Sequence, residues 1–238
     1  MVLTDVISSQ KRVEFDFESN EFFKMSNKSD ISFIESYFKE VKKALDSLDK
    51  RMIIKALKIL TEAYKENHVV YILGNGGSAA NASHMSADLS KGTLLSVHDK
   101  KEKRLRVFSL TDNMALISAY SNDIDYSEVF VQQLKNLIVG GDILIVISGS
   151  GNSVNLIKAV RYAKYRKVKT IGLLGFDEGG KIGKMVDCPI LVKSNHYGPV
   201  EDVHLVINHL LTSLFVNAKS TTGGSRKSGN NSTPFRNY

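Results

Sequence analysis

Cysteine is all but missing: Cys188 stands alone among 238 residues, which excludes a disulfide framework and a cysteine-rich zinc module. Tryptophan is absent and proline occurs only three times, so no proline-rich stretch marks a linker between domains. No run reaches the roughly 18 consecutive apolar residues that a membrane-spanning helix needs. The first residues, MVLTDVISSQKRVEFDFESNEFF, lack a basic start followed by an apolar stretch and carry Asp and Glu, unlike a signal or transit peptide. These absences imply a soluble cytoplasmic protein.

What is present suits one compact α/β domain, since 42% of the residues are hydrophobic and the length gives ample core. The formal charge of +7 raises the question of nucleic acid, which depends on whether the charge forms a patch. Much of it falls in Lys100-Lys101-Glu102-Lys103-Arg104-Leu105-Arg106 and in the Ser/Gly/Asn-rich stretch 219–238, neither of them strongly periodic. That pattern argues against nucleic acid. The tail composition cannot bury enough surface to offset its ordering entropy, so 219–238 reads as a disordered basic tail. Residues 1–28 read as a flexible N-terminal extension, which leaves 29–218 as the domain.

From Ser29 to Asn67 apolar residues recur at helical spacing with an interruption near Asp49, which predicts two opening helices. The period then shortens. Apolar runs at 68–73, 106–110, 142–147, 168–174 and 189–192 alternate with amphipathic segments at 78–90, 114–121 with 126–137, 153–166, 180–184 and 199–216. Alternating β and α with near-continuous apolar strands predicts a five-stranded parallel sheet with helices on both faces, a three-layer sandwich. Ligands of such sheets bind outside the carboxyl ends of the strands.

Two strand-end loops stand out. Gly74-Asn75-Gly76-Gly77-Ser78 opens a helix whose N-terminus offers free N–H groups to an anion. A dinucleotide fingerprint would want an acidic residue about 20 positions on, and Asp112 lies far beyond that; no Gly-Lys-Ser/Thr follows to make a Walker loop. The second loop, Ser148-Gly149-Ser150-Gly151-Asn152-Ser153, sets three hydroxyls around two glycines, a donor-rich nest suited to a phosphate monoester. Taken together the two loops favour a phosphorylated ligand. On the helix after the first loop, His84 and Asp88 are spaced i, i+4 and share a face. On the last helix Glu201 and His209 are eight apart, roughly 80° around the axis, with His204 between them. Two imidazoles and two carboxylates suit general acid–base chemistry or a divalent metal such as zinc.

These motifs, in this order, resemble the sugar isomerase (SIS) domain family and within it the phosphoheptose isomerase group, over about 29–216. The resemblance implies a flavodoxin-like fold and aldose–ketose isomerisation of sedoheptulose 7-phosphate to D-glycero-D-manno-heptose 7-phosphate through an enediol(ate). It also implies one zinc ion per site and a homotetramer with active sites between subunits. By the same resemblance Asn75, Gly76, Gly77, Ser78, Asp112, Ser148, Gly149, Ser150, Ser153 and Glu201 would bind substrate. Asp88, Glu201 and His209 would act in catalysis, and His84, Asp88, Glu201 and His209 would hold the metal. Three positions depart from the family: Asp88 stands in place of a glutamate, Glu201 in place of a glutamine and Gly149 in place of a threonine. A carboxylate, Asp88 or Glu201, would remove the proton beside the carbonyl, and His209 would protonate the carbonyl oxygen. The alternative is a non-catalytic SIS protein, a sugar-phosphate sensor or a tetrameric protein-binding scaffold.

Overall fold

The structure, a computed structural model, describes residues 27–222 except Asp177. The N-terminal extension up to residue 26 and residues 223–238 of the tail lie outside the described residues. Helix α1, Asn27–Asp46, begins in a first unit that ends at Tyr37 and continues into the second, Phe38–Tyr238, which holds everything below.

Helix α2, Lys50–Glu66, starts where Asp49 accepts the Arg51 N–H and stops at Asn67, whose left-handed backbone closes the last turn onto Ala63 and Tyr64. Then come β1 (Val69–Leu73), α3 (Gly77–Ala87), β2 (Arg106–Ser109), α4 (Met114–Asp123) and α5 (Val129–Leu137). Strand β3 (Ile143–Ser148), α6 (Val154–Tyr165), β4 (Lys169–Leu174), α7 (Gly180–Gly183), β5 (Cys188–Leu191) and α8 (Tyr197–Thr222) complete the domain. Five parallel strands lie in the order β2-β1-β3-β4-β5, as the alternating pattern predicts.

Period-two alternation divides the strands between two cores. Val70, Ile72, Ile143, Ile145 and Ile147 face α2, α3 and α8, where Leu60, Met85 and Ile207 are fully buried. Their neighbours Val69, Tyr71, Leu73, Leu144 and Val146 face α5 and α6. A one-residue slip would exchange the two sets, so the register is strongly specified. Buried Asp142 ties β3 to β1, accepting the Val69 N–H at 2.8 Å and the Val139 N–H at 2.9 Å. Cys188 lies in the first core, where burial pushes its thiol up to about 11, so it packs as a small hydrophobe.

Three expectations change. Asn27 and Lys28, expected in the N-terminal extension, open helix α1. The helix expected over 78–90 ends at Ala87 and passes into a π-helical turn, Asp88–Gly92. The tail does not begin at Lys219, because Lys219–Thr222 continue α8. The Lys219 ammonium reaches the Glu102 carboxylate and the Thr93 carbonyl, and these partners dock the last turns of the helix. The basic run around 100–106 is anchored in the same way. Lys103 Nζ donates to Lys65 O at 2.8 Å and Arg106 Nη1 to Asn67 O at 3.1 Å, so both cations serve the C-terminus of α2.

Candidate active site

Strand order reverses between β1 and β3, and a crevice opens at the carboxyl ends of these two strands in any doubly wound sheet of this order. Both loops singled out by sequence border it. After β1, Gly76 takes φ +55°, a conformation that few side chains tolerate, and caps α3. Asn75 forms a closed amide pair with buried Asn155 of α6: Nδ2 donates to Asn155 Oδ1 at 3.0 Å and Oδ1 accepts from Asn155 Nδ2 at 2.9 Å. Asn75 Oδ1 also accepts the Tyr126 hydroxyl at 3.0 Å. This pair ties the first loop to the first turn of α6.

After β3, buried Ser148 accepts the Gly151 N–H at 3.0 Å, while Gly151, at φ +61°, packs so closely on Gly179 that a Cβ would strike its carbonyl. Ser150 accepts the Asn152 N–H at 3.3 Å. Ser153 is the N-cap of α6 by position, yet its hydroxyl makes no capping bond and is available to a ligand. A side chain on Gly149 would press on Tyr197, whose ring meets Phe176 edge-on with centroids 4.8 Å apart. The space beside Gly149 is thus bounded by two aromatic rings. A cavity of about 450 Å³ opens beside Ser150 and Asn152 and carries Lys181 and Lys184 on its wall.

Small residues let α3 sit close to its neighbours, and it presents polar side chains along its length. Ser83 donates to Asp112 Oδ1, which also accepts from Ser109 at 3.1 Å and Thr111 at 3.2 Å, so three hydroxyls orient this carboxylate. One residue on, His84 faces Asp88 and meets His209 of α8. His84 Nε2 and Asp88 Oδ2 are 3.3 Å apart, His209 Nε2 and Asp88 Oδ2 3.5 Å, and the two Nε2 atoms 3.4 Å.

That near-equilateral triangle has the edge length of a tetrahedron whose corners lie about 2.0–2.1 Å from its centre, the distance at which imidazole and carboxylate bind zinc. Two imidazoles and a carboxylate therefore fit a borderline divalent cation in both chemistry and spacing, with a corner left open.

Glu201 does not join this cluster. Its carboxylate lies against Gly77 in the first turn of α3, where the helix N-terminus favours negative charge. Eight residues rise about 12 Å along a helix axis, so Glu201 and His209 share a broad face at different heights. His204, between them, is fully buried, and burial lowers its pKa to about 4 with the Leu174 carbonyl opposing; it stays neutral and takes no part in the cluster. Ser78, the last residue of the first loop, is buried. Sequence reasoning missed Asn155, Tyr126, Tyr197 and Asn208. Asn208 Nδ2 donates to Asp88 Oδ2 at 2.9 Å, and only its place beside His209 marked it.

Among known proteins, the SIS domain family model matches residues 36–175. A phosphoheptose isomerase of a Nitratiruptor species is 40% identical over 157 residues, 66% of this chain and 80% of that protein. One from Helicobacter pylori is 36% identical over 171 residues, 72% of this chain and 85% of that protein. The structure of a phosphoheptose isomerase from Neisseria gonorrhoeae superposes with a TM-score of 0.70 at 26% identity, over 80% of this chain and 98% of that one. That of one from Francisella tularensis gives 0.70 at 27% identity, over 81% and 100%.

Proposed function

The chain belongs to the SIS domain family, in its phosphoheptose isomerase group, and from that premise we propose that it interconverts sedoheptulose 7-phosphate and D-glycero-D-manno-heptose 7-phosphate through an enediol(ate). The observation that carries this reading is the convergence of His84, Asp88 and His209 into one cluster, in a chain whose β1 and β3 each end in a glycine-rich loop.

The loop hydroxyls of Ser148, Ser150 and Ser153 and the N–H groups at the start of α3 anchor the phosphate and fix the sugar's position. Asn75 and Asp112, each held by its neighbours, present an amide and a carboxylate to the sugar hydroxyls. A carboxylate removes the proton from the carbon beside the carbonyl and returns it to the adjacent carbon, while His209 gives a proton to the carbonyl oxygen and recovers one from the neighbouring hydroxyl. The two candidate bases differ in their surroundings. Asp88 Oδ2 is engaged by Asn208 and faces both imidazoles, whereas no hydrogen bond to the Glu201 carboxylate is found among the described residues.

His84, Asp88 and His209 would hold a zinc ion, and Glu201 would have to leave Gly77 to become a fourth ligand. When bound, the ion supplies charge that stabilises the developing oxyanion. His84 and His209 are about half exposed, and Phe38, Ile54, Phe108 and Met114 present apolar surface. These features support a homotetramer whose neighbouring subunits close the active sites. Among the described residues no helix is long and apolar enough to cross a membrane. A cytoplasmic location belongs to the same proposal. A sensor or scaffold does not require acid–base groups in such close register and is not favoured.

The test is incubation with a panel of ketose phosphates, with and without zinc, following aldose formation in the wild type and in Asp88→Ala, Glu201→Ala and His209→Ala. Turnover of sedoheptulose 7-phosphate that collapses in His209→Ala supports the reading; equal activity of wild type and His209→Ala removes the proposed acid. The two carboxylate variants identify the base.

A further inference from the structure

We propose that Asn208 is a positioning residue that fixes the Asp88 carboxylate at the apex of the His84–Asp88–His209 triangle. The inference rests on the reading of that triangle as the reacting centre and adds a residue to it.

Asp88 has only two side-chain torsions, and it opens the π-helical turn Asp88–Gly92, where the regular helical ladder gives way to a wider one. Neither imidazole can fix it, because both are about half exposed and lie 3.3 and 3.5 Å away, at or beyond the usual hydrogen-bond range. Asn208 differs in both respects. It is fully buried on α8, and its Nδ2 donates at 2.9 Å to Oδ2, the same oxygen that faces the two histidines. This donor also acts on a charged acceptor, the stronger class of hydrogen bond.

The remaining half of the amide shows which way the dependence runs. Asn208 Oδ1 is buried and has no hydrogen-bond partner, so the side chain gains nothing from its other end. Turning the amide over would set Oδ1 against the Asp88 carboxylate and leave Nδ2 unpaired instead. The orientation of Asn208 is therefore set by Asp88 alone. A buried asparagine with half of its amide unsatisfied is a poor core residue. It makes sense as the donor that aims one oxygen of a short, partly exposed carboxylate at two imidazoles. His209 follows directly in sequence, so one turn of α8 carries both a corner of the triangle and the residue that holds the opposite corner.

The test uses the full-length protein and two variants, Asn208→Leu, which removes the donor and fills its space, and Asn208→Ala, which removes it without filling. Zinc affinity is measured by competition with a chromophoric chelator, kcat and KM with sedoheptulose 7-phosphate, and stability by thermal unfolding. Loss of a hydrogen-bond partner behind a metal ligand weakens binding or activity by about 10- to 100-fold. Both variants should bind zinc that much more weakly and lose kcat by a similar factor, with KM little changed because the phosphate loops are untouched. Asn208→Leu should unfold no earlier than the wild type, since it also removes the unpaired Oδ1, whereas a merely structural Asn208 would show the reverse pattern of lost stability and retained kcat. Wild-type zinc affinity and kcat in both variants overturn the proposal. A wild type that binds zinc but turns over no ketose phosphate refutes the proposed reaction, and the zinc affinities of the variants then decide the role of Asn208. A wild type that does neither overturns both.

Discussion

The Glu201 carboxylate occupies the volume that a side chain on Gly77 would need, so the first turn of α3 and the second turn of α8 meet there without a Cβ between them. The contact joins a glycine loop to a carboxylate more than 120 residues away.

Gly77→Ala should therefore displace Glu201 without unfolding the protein. The obstructing atoms are the far end of a flexible side chain, and alanine is the better helix former. The expected result is an unchanged or higher melting temperature with kcat/KM lowered to about the level of Glu201→Ala. The double variant should lose little more than either single one, the non-additivity expected of contacting residues. Independent, multiplicative losses in kinetic assays would show that Gly77 and Glu201 act separately.

The serines of the second loop should separate by role. Ser148 is buried and accepts the Gly151 N–H, so Ser148→Ala leaves a buried donor unpaired and should cost about 1–3 kcal/mol in denaturant unfolding. Ser153 makes no capping bond, so Ser153→Ala should leave stability within about 0.5 kcal/mol and raise KM for the phosphorylated substrate. A stability loss in Ser153→Ala with unchanged KM would assign that hydroxyl to the fold.

His204 gives the molecule an acid limit. Its folded pKa, lowered by burial to about 4, lies below the unfolded value of about 6.5, so the unfolded state takes up the proton first as pH falls. Stability is unaffected above about pH 6.5 and is lost between there and pH 4, the loss reaching about 3 kcal/mol. In His204→Leu this share of the acid sensitivity should vanish. Denaturant unfolding of both proteins at pH 7, 5.5 and 4.5 measures it, and parallel curves would exclude His204 as the source.

Removal of metal should silence the site without harm to the fold, because the corners of the triangle are partly exposed and belong to neither core. Chelator treatment should reduce turnover at least about 100-fold, with recovery on adding zinc and little change in circular dichroism. His84→Ala should show the same loss and no recovery. Full activity after exhaustive chelation would remove the metal from the reaction.

The architecture was legible because its signals are local. Strands buried on both faces read as apolar runs, and the glycine and serine clusters between them mark the strand-end loops. The i, i+4 spacing of His84 and Asp88 placed two groups on one face without further information. The docking of Lys219 was not legible, because its partners Glu102 and Thr93 lie more than 100 residues away in sequence. Nor was Asn155, which reads as an ordinary helix residue until the sheet brings it beside Asn75.

By itself the sequence determined the order of elements, the two glycine-rich strand-end loops and the types of group available for acid–base chemistry, since each follows from spacing within about a dozen residues. Only the tertiary structure decided which groups meet. It brought His209 of α8 to His84 and Asp88 across more than 100 residues, set Glu201 apart on the start of α3 and placed Asn208 behind the carboxylate. Helix periodicity fixes the face a residue shares but not its height against another helix, and the packing of α8 on α3 supplies that.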